Sequence, residues 1–185
     1  DPSGELLTVG LAGPTSATAR ESTDLDDIAA GLADAECISG HSLAGDVSKL
    51  VENGLPVKEQ WVKGCKSFDS LLLARMVDEN DLSYELETQL LRASRVEPWK
   101  HKTPGKDATK WAPALRVERC RLDAWASRSI AARNYAQLPN KPLVEYTHRI
   151  AATLERIAIA GAFIDLPKFN SLKDHYHQEA TRLSD

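Results

Sequence analysis

The clearest helical pattern is a 24-residue run without Gly or Pro, residues 115–138, LRVERCRLDAWASRSIAARNYAQL. Its apolar positions are spaced by seven, four and four residues and so share one face: Leu115, Leu122, Ala126 and Ile130. Pro139 ends the run. Arg119, Asp123 and Ser127 are spaced one turn apart on a neighbouring flank. Taken alone, a carboxylate such as Asp123 on a helix flank is more typical of a solvated or ion-paired surface group than of a functional one.

Other segments have the same three-to-four spacing of apolar residues or helix start and stop signals. They predict helices over residues 24–35, 47–56, 68–80, 84–94 and 143–162, and a last one from Pro167 onwards. In the helix over 143–162, one regular stripe predicts the apolar face: Leu143, Tyr146, Ile150, Leu154 and Ile157.

Short β-rich runs between turn residues predict strands over residues 6–12, 36–41 and 61–65. The Ser/Thr/Ala-rich segment 15–23 is interpreted as a loop. Strands and helices alternate in the first third and helices dominate afterwards. This order favours an α/β domain with a helical extension at its C-terminal end.

Composition narrows the class of protein. The 185 residues include 27 acidic and 23 basic side chains, which argues against coating nucleic acid through bulk charge but not against a local basic groove. Three cysteines without CxxC spacing favour a reduced, intracellular protein. No apolar run approaches the about 20 residues of a membrane span, so we expect no membrane partner.

A basic segment, residues 98–113, PWKHKTPGKDATKWAP, is the main candidate for contact with nucleic acid. Lys100 and Lys102 lie in it between Trp99 and Trp111. Basic residues interleaved with aromatic ones can bind a single strand. A solvated loop anchored by one or two Trp side chains is favoured over strand binding, because charged loop residues are usually solvated.

Five motifs occur together in one order: ISGHSLAGD, FDSLLLARMVDENDLSYELETQLL, KHKT, RCRLDAWAS and LERIAIAGAFIDLPKFNSL. In this order they resemble the 3′–5′ exonuclease domain of a family A DNA polymerase, similar to bacterial polymerase I and particularly to its bacteriophage relatives. The resemblance implies a ribonuclease H-like α/β fold over residues 1–138. Residues 139–185 resemble the helical segment that leads into the polymerase thumb.

The resemblance also implies partners and cofactors. Such a domain binds single-stranded 3′ ends of DNA and hydrolyses them with two Mg²⁺ or Mn²⁺ ions held mainly by carboxylates. Its other partners are the rest of the polymerase chain or replication proteins, in the cytoplasm of a bacterium or an infected host cell. The carboxylates and the lysine that template-directed synthesis needs would lie beyond residue 185, so we expect no polymerase activity here.

The motifs carry the family's site onto this chain residue by residue. Asp46 and Asp123 match two of its metal-binding carboxylates, and Ser42 stands where a DNA-contacting Asn is usual. Arg119 occupies the position of the Tyr that orients the attacking water, and at (i, i+4) it supplies a positive charge that competes for Asp123. Asp69 matches an Asp before a helix, for which we expect a capping role.

The largest departure lies at the front of the chain. Residues 6–12 align with the family's second strand, so the central first strand and its DxE pair would lie upstream of Asp1. Asp1 and Glu5 are spaced by four residues rather than two and lie in a predicted turn, which makes them poor substitutes. Without that pair, the sheet would be incomplete and its strand edges unpaired.

Three functional hypotheses follow. A degenerate exonuclease-like module that binds DNA or supports a polymerase without cutting is favoured, because the DxE pair, the Tyr and the Asn are all missing. An active proofreading exonuclease, completed by upstream residues, is the second. A helical interaction module unrelated to polymerases is the third, but it leaves the shared order of the motifs unexplained.

Overall fold

The computed structural model describes residues 8–21, 25–99, 107–161 and 165–184. These residues form four strands and eight α-helices, which confirms a mixed α/β protein. The chain divides into two compact units, Asp1–Thr153 and Leu154–Asp185, while the predicted boundary at residue 138 stays a prediction. Within the described ranges, the helices are all too short or too polar to cross a membrane.

The first two strands form an antiparallel hairpin, β1 (Thr8–Ala12) with β2 (Ala17–Glu21), in which Thr8 lies opposite Glu21. The predicted strand over 6–12 is therefore confirmed for its described part. The predicted loop over 15–23 is wrong, because β2 lies within it. The buried residue of β2 is Ala19. Its side chain is too small to give the sequence a clear alternation of hydrophobic and polar residues, which is the pattern that predicts a strand.

The second pair of strands is parallel, β3 (Ile38–Gly40) with β4 (Ser67–Asp69). Two helices connect them, α2 (Leu43–Glu52) and the short α3 (Glu59–Val62). The predicted strand over 61–65 is wrong, because Trp61 lies in α3 and is buried against Ile28, Leu32 and Leu55. A buried aromatic in a short apolar segment suits either a strand or a helical turn, so the pattern did not decide between them.

The helix predicted over 115–138 is confirmed as α6 (Pro113–Gln137), which organises the first unit. It packs against β1, β2 and β3, and also against α4 (Ser70–Val77) and α5 (Leu86–Ala93). Both two-stranded sheets therefore contact the same helix. Leu122, Ala126 and Ile130 contribute to the core that α5 shares with α6, as their spacing indicated.

The predicted apolar face of α7 (Lys141–Ala160) is wrong. In the first unit, Val144 and His148 are buried, whereas Leu143, Tyr146 and Ile150 are exposed. The fold buries the neighbouring face, since Val144 packs with Leu73 and Ala131 and His148 reaches a buried amide. The remaining elements are α1 (Asp26–Asp34) in the first unit and α8 (Leu166–Ser184) in the second.

Candidate functional site

A buried carboxylate, Asp69, organises the end of β4 and the starts of two helices. Its Oδ1 accepts hydrogen bonds from the backbone N–H of Leu71 at 2.9 Å and of Ser42 at 3.0 Å. Its Oδ2 accepts one from the N–H of Leu43 at 3.0 Å. The predicted capping role is confirmed for α4, and the same side chain also binds the first N–H groups of α2. We call this arrangement the Asp69 junction.

The predicted contact residue Ser42 lies at the junction, immediately before α2. Its φ of 64° and ψ of 48° place it in the left-handed region, and its side chain is exposed. Ser42 directly precedes α2, and Asp46 lies in the first turn of that helix. Gly40 permits the close packing there, because an added Cβ would lie 2.7 Å from Leu43 Cδ1 and 3.2 Å from Asp46 Oδ2.

Asp46 is the predicted metal ligand on α2. Its side chain retains solvent exposure, but protein atoms surround it closely enough to weaken its hydration. This desolvation, together with the negative charge of Asp69, raises the pKa of Asp46 to about 6. Asp46 is therefore partly protonated in mildly acidic solution and fully charged only above neutral pH.

Asp123, the predicted ligand on α6, is bound through both of its carboxylate oxygens. Arg119 Nε donates to Asp123 Oδ2 at 2.8 Å, one turn away on the same helix. Trp99 Nε1 donates to Asp123 Oδ1 at 2.9 Å. The positive charge predicted beside Asp123 forms this direct ion pair, whereas the indole contact was not predicted.

Trp99 anchors the end of the segment that follows α5. It is buried with Leu86, Leu90 and Ile130, and its backbone N–H donates to Glu87 Oε1 at 2.6 Å. The interpretation of Trp99 as an anchoring side chain is therefore confirmed. The predicted DNA-contacting residues Lys100 and Lys102 lie outside the described residues.

The thiol of Cys120 on α6 is affected by both predicted carboxylates. Desolvation first, and then the charges of Asp123 and Asp46, raise the pKa of this thiol to about 12. The thiol stays protonated at neutral pH, which makes it a poor nucleophile.

The described residues do not fit a two-ion metal site. Among residues 8–21, 25–99, 107–161 and 165–184, no three His, Cys, Asp or Glu side chains are grouped so that they could hold a metal ion. Asp123 already gives one oxygen to a guanidinium and the other to an indole N–H. The positive charge of Arg119 would also repel a divalent cation placed at Asp123.

No family model, curated protein or solved structure matches the chain. Function therefore has to be inferred from the site geometry and from the order of the motifs.

Sequence reasoning missed three residues around this site: Trp99 as a partner of Asp123, Cys120 as a thiol that both carboxylates affect, and His148 at the Asp69 junction. The partners of Trp99 and His148 are 24 and 79 residues away in the chain, so no local spacing could reveal them. A weak signal existed for His148, since it sits one turn after Val144 in a helix with many apolar residues.

Proposed function

We propose that the chain is an exonuclease-like domain of a family A DNA polymerase. It binds single-stranded 3′ ends of DNA and hydrolyses them poorly or not at all. The observation that supports poor or absent hydrolysis is the ion pair between Arg119 and Asp123, in which the two atoms are 2.8 Å apart. It occupies one carboxylate that metal-dependent hydrolysis would need.

The chemistry of two-ion hydrolysis explains why this ion pair matters. Two divalent ions about 4 Å apart require several oxygen ligands that are free to bind them. A guanidinium at the position where the family carries Tyr neutralises Asp123 instead of orienting a water molecule. Restoring metal binding would require breaking the ion pair and also adding ligands that the described residues do not supply.

The same features favour binding of a phosphodiester without a metal. Two fully charged carboxylates would repel the DNA backbone. Here Arg119 neutralises Asp123, and the raised pKa of Asp46, about 6, lowers its average charge in mildly acidic solution. The basic segment 98–113 and the exposed Ser42 would then contact the strand.

The arrangement of the sheets supports the proposed ribonuclease H-like fold. In the described part of the chain, β1 pairs only with β2 and β3 pairs only with β4, yet both sheets contact α6. A further strand between β1 and β3 would join the two sheets into one mixed sheet and would pair the unpaired edges of β1 and β3. This observation also favours the second candidate, an active proofreading exonuclease whose upstream strand brings the DxE pair.

The proposed partner of the first unit is the rest of a polymerase chain. Leu143, Tyr146 and Ile150 form an exposed apolar stripe on α7 and are 49%, 62% and 42% exposed. Such a stripe is typical of a surface that another polypeptide covers. We propose a cytoplasmic location in a bacterium or an infected host cell, as the resemblance implies.

The test uses the full chain and a single-stranded oligonucleotide labelled at its 3′ end. Binding is followed by fluorescence anisotropy in the presence of EDTA, and cutting by gel electrophoresis with Mg²⁺ or Mn²⁺. A double variant, Asp46→Ala with Asp123→Ala, is compared with the wild type and with the control Asp34→Ala, which removes an exposed carboxylate at the end of α1.

Three results are possible. Binding without cutting supports the proposal. Metal-dependent cutting that the double variant abolishes and the control retains would establish the active exonuclease instead. A folded chain that neither binds nor cuts the oligonucleotide would overturn both candidates and leave an interaction module.

A further inference from the structure

A histidine on α7 is built into the Asp69 junction. His148 is only 4% exposed. Its Nε2 accepts a hydrogen bond from the backbone N–H of Asp69 at 2.8 Å. Its Nδ1 lies 2.8 Å from the carbonyl oxygen of Val144, one turn earlier on α7. Both ring nitrogens are therefore engaged with backbone groups.

These two partners fix the protonation state of the ring. A backbone amide can only donate, so Nε2 must present its lone pair to Asp69. A carbonyl oxygen can only accept, so Nδ1 must carry the hydrogen that reaches Val144. The folded arrangement needs the neutral Nδ1–H tautomer. Adding a proton to Nε2 would set one donor against another inside the core.

The bond from His148 connects α7 to the start of α2 through one residue. The Asp69 amide binds the His148 ring, while the Asp69 carboxylate binds the amides of Ser42 and Leu43. Gly64 shows how closely α7 sits here, because an added Cβ would lie 2.5 Å from the His148 carbonyl oxygen. Movement of the His148 ring therefore acts directly on the residue that holds α2.

Several charged or titratable groups lie on the elements packed around the His148 ring. They do not relieve the contact between two donors that a proton on Nε2 would create with the Asp69 N–H. They are Asp69 at the start of α4, Tyr135 on α6, Lys63, Cys65 and Lys66 in the turn before β4, and Glu145 and Arg149 on α7 itself. The carboxylate of Asp69 would attract an imidazolium. Nε2 faces the backbone N–H of Asp69, so it would have to leave that group to reach the carboxylate oxygens, and this movement itself breaks the bond between α7 and Asp69.

We propose that His148 is an acid-sensitive tether, which in its neutral form fastens α7 to the Asp69 junction and on protonation releases α7 and loosens the start of α2. Ser42 and Asp46 lie at that start, so acidification would disorder one side of the candidate site. The inference uses only the junction geometry and does not depend on the proposed DNA binding.

Asp46 cannot produce the same effect. Desolvation raises the pKa of Asp46 to about 6, so acidification removes a charge whose hydration the fold weakens. Protonation of Asp46 therefore favours the folded start of α2, which is the opposite direction from protonation of His148. The sign of the pH response distinguishes the two groups.

The test is amide hydrogen exchange of the full chain between about pH 7.5 and about pH 5, the range in which histidine side chains gain their proton, after correction for intrinsic exchange rates. In the wild type we expect protection of the Leu43 and Asp69 amides to fall about tenfold on acidification, which matches the loss of one buried hydrogen bond. In His148→Gln, whose amide does not titrate, protection should not fall on acidification, and at Leu43 the protonation of Asp46 should raise it slightly. The matched control is His41→Gln, which removes the histidine beside Ser70 at the same junction and should keep the wild-type response.

Nitrogen NMR of the wild-type histidines provides a measurement that requires no variant. We expect the His148 ring to be the neutral Nδ1–H tautomer at about pH 7.5, the protonation state that its two backbone partners require. An Nε2–H tautomer or an imidazolium at that pH would overturn the proposal. So would protection at Leu43 and Asp69 that is unchanged on acidification, or an identical pH response in a folded His148→Gln variant.

Discussion

Asp69 and Asp123 are both carboxylates that accept hydrogen bonds through both oxygens, but their donors differ in kind. Asp69 binds three backbone N–H groups and is 9% exposed. Asp123 binds two side chains, Arg119 and Trp99, and its own side chain is 36% exposed. The first set of donors is fixed by the path of the chain, whereas the second depends on the identity of two side chains.

This difference separates a structural carboxylate from a functional candidate. Backbone donors remain whatever the neighbouring side chains are, so only replacement of Asp69 itself removes its role. Asp123 is partly exposed, and a single substitution of Arg119 would remove the donor that its Oδ2 accepts from. The predictions below test this contrast, beginning with the largest expected effect.

The first prediction concerns the Asp69 junction. Asp69→Ala removes the cap of α4 and leaves the Ser42 and Leu43 amides without their acceptor. We expect the free energy of unfolding to fall by about 4 kcal/mol, measured by urea denaturation. Asp107→Ala removes an exposed cap of a short 3₁₀ turn and should cost less than about 1 kcal/mol. Similar losses in the two variants would contradict the structural role of Asp69.

The second prediction tests how tightly α7 is seated at this junction. Gly64 has a φ of 73°, and a Cβ there would lie 2.5 Å from the His148 carbonyl oxygen. Gly64→Ala should destabilise the protein by about 3 kcal/mol through backbone strain and this clash. Gly54 has a φ of 70° and nothing within 4 Å of an added Cβ, so Gly54→Ala should cost about 1 kcal/mol in the same thermal or urea measurement. Equal costs would show that α7 does not contact the Gly64 turn closely.

The third prediction measures the side-chain partnership of Asp123. A double-mutant cycle with Arg119→Ala and Asp123→Ala should give a coupling free energy of about 1.5 kcal/mol, because Arg119 is only 14% exposed. The matched cycle uses Arg121 and Glu118, an exposed pair on the same helix, and should give less than about 0.5 kcal/mol. A coupling at Asp123 no larger than that of the control pair would mean that Arg119 does not hold Asp123 in solution.

The fourth prediction uses the pH dependence of Asp46. Its pKa of about 6 in the folded protein exceeds the ordinary value of 3.8, so the folded state binds the proton more strongly and stability falls as pH rises from about 4 to about 6. Asp46→Asn should therefore be more stable than the wild type by about 1 kcal/mol above pH 7, a value reduced for the exposure of this side chain. Below about pH 4 the difference should shrink, because both side chains are then neutral. Thermal unfolding across this pH range checks the sign, and a variant that is less stable above pH 7 would contradict it.

The sequence was informative where local spacing decides the outcome. The Gly- and Pro-free run became α6, Asp69 within FDSLLLA became a helix cap, and Arg119 four residues before Asp123 formed an ion pair with it. In each case the partners are within one or two turns, so their contact follows from helical geometry alone.

Prediction failed where burial depends on elements far apart in the chain. The apolar stripe of α7 is regular but exposed, because the fold buries the face that carries Val144 and His148. β2 was missed because Ala19 contributes its burial through hairpin pairing rather than through a hydrophobic period. The described strands form two separate two-stranded sheets, so the single ribonuclease H-like sheet that the resemblance implies stays a prediction.

The candidate site was likewise predictable only in part. Motif order indicated Asp46 and Asp123, and the charges of both raise the pKa of the Cys120 thiol. Two long-range partners could not be predicted from the sequence. Trp99 bonds to Asp123, which is 24 residues away, and His148 bonds to Asp69, which is 79 residues away.

We infer that Arg119 and Trp99 hold Asp123 in a form that does not bind metal. The most direct measurement is Mn²⁺ binding to the full chain by electron paramagnetic resonance, with Asp46→Asn plus Asp123→Asn as the reference variant. We predict the same weak, nonspecific binding in the wild type and the variant. Stoichiometric Mn²⁺ binding by the wild type that the variant loses would contradict the claim and establish a metal site at these two carboxylates.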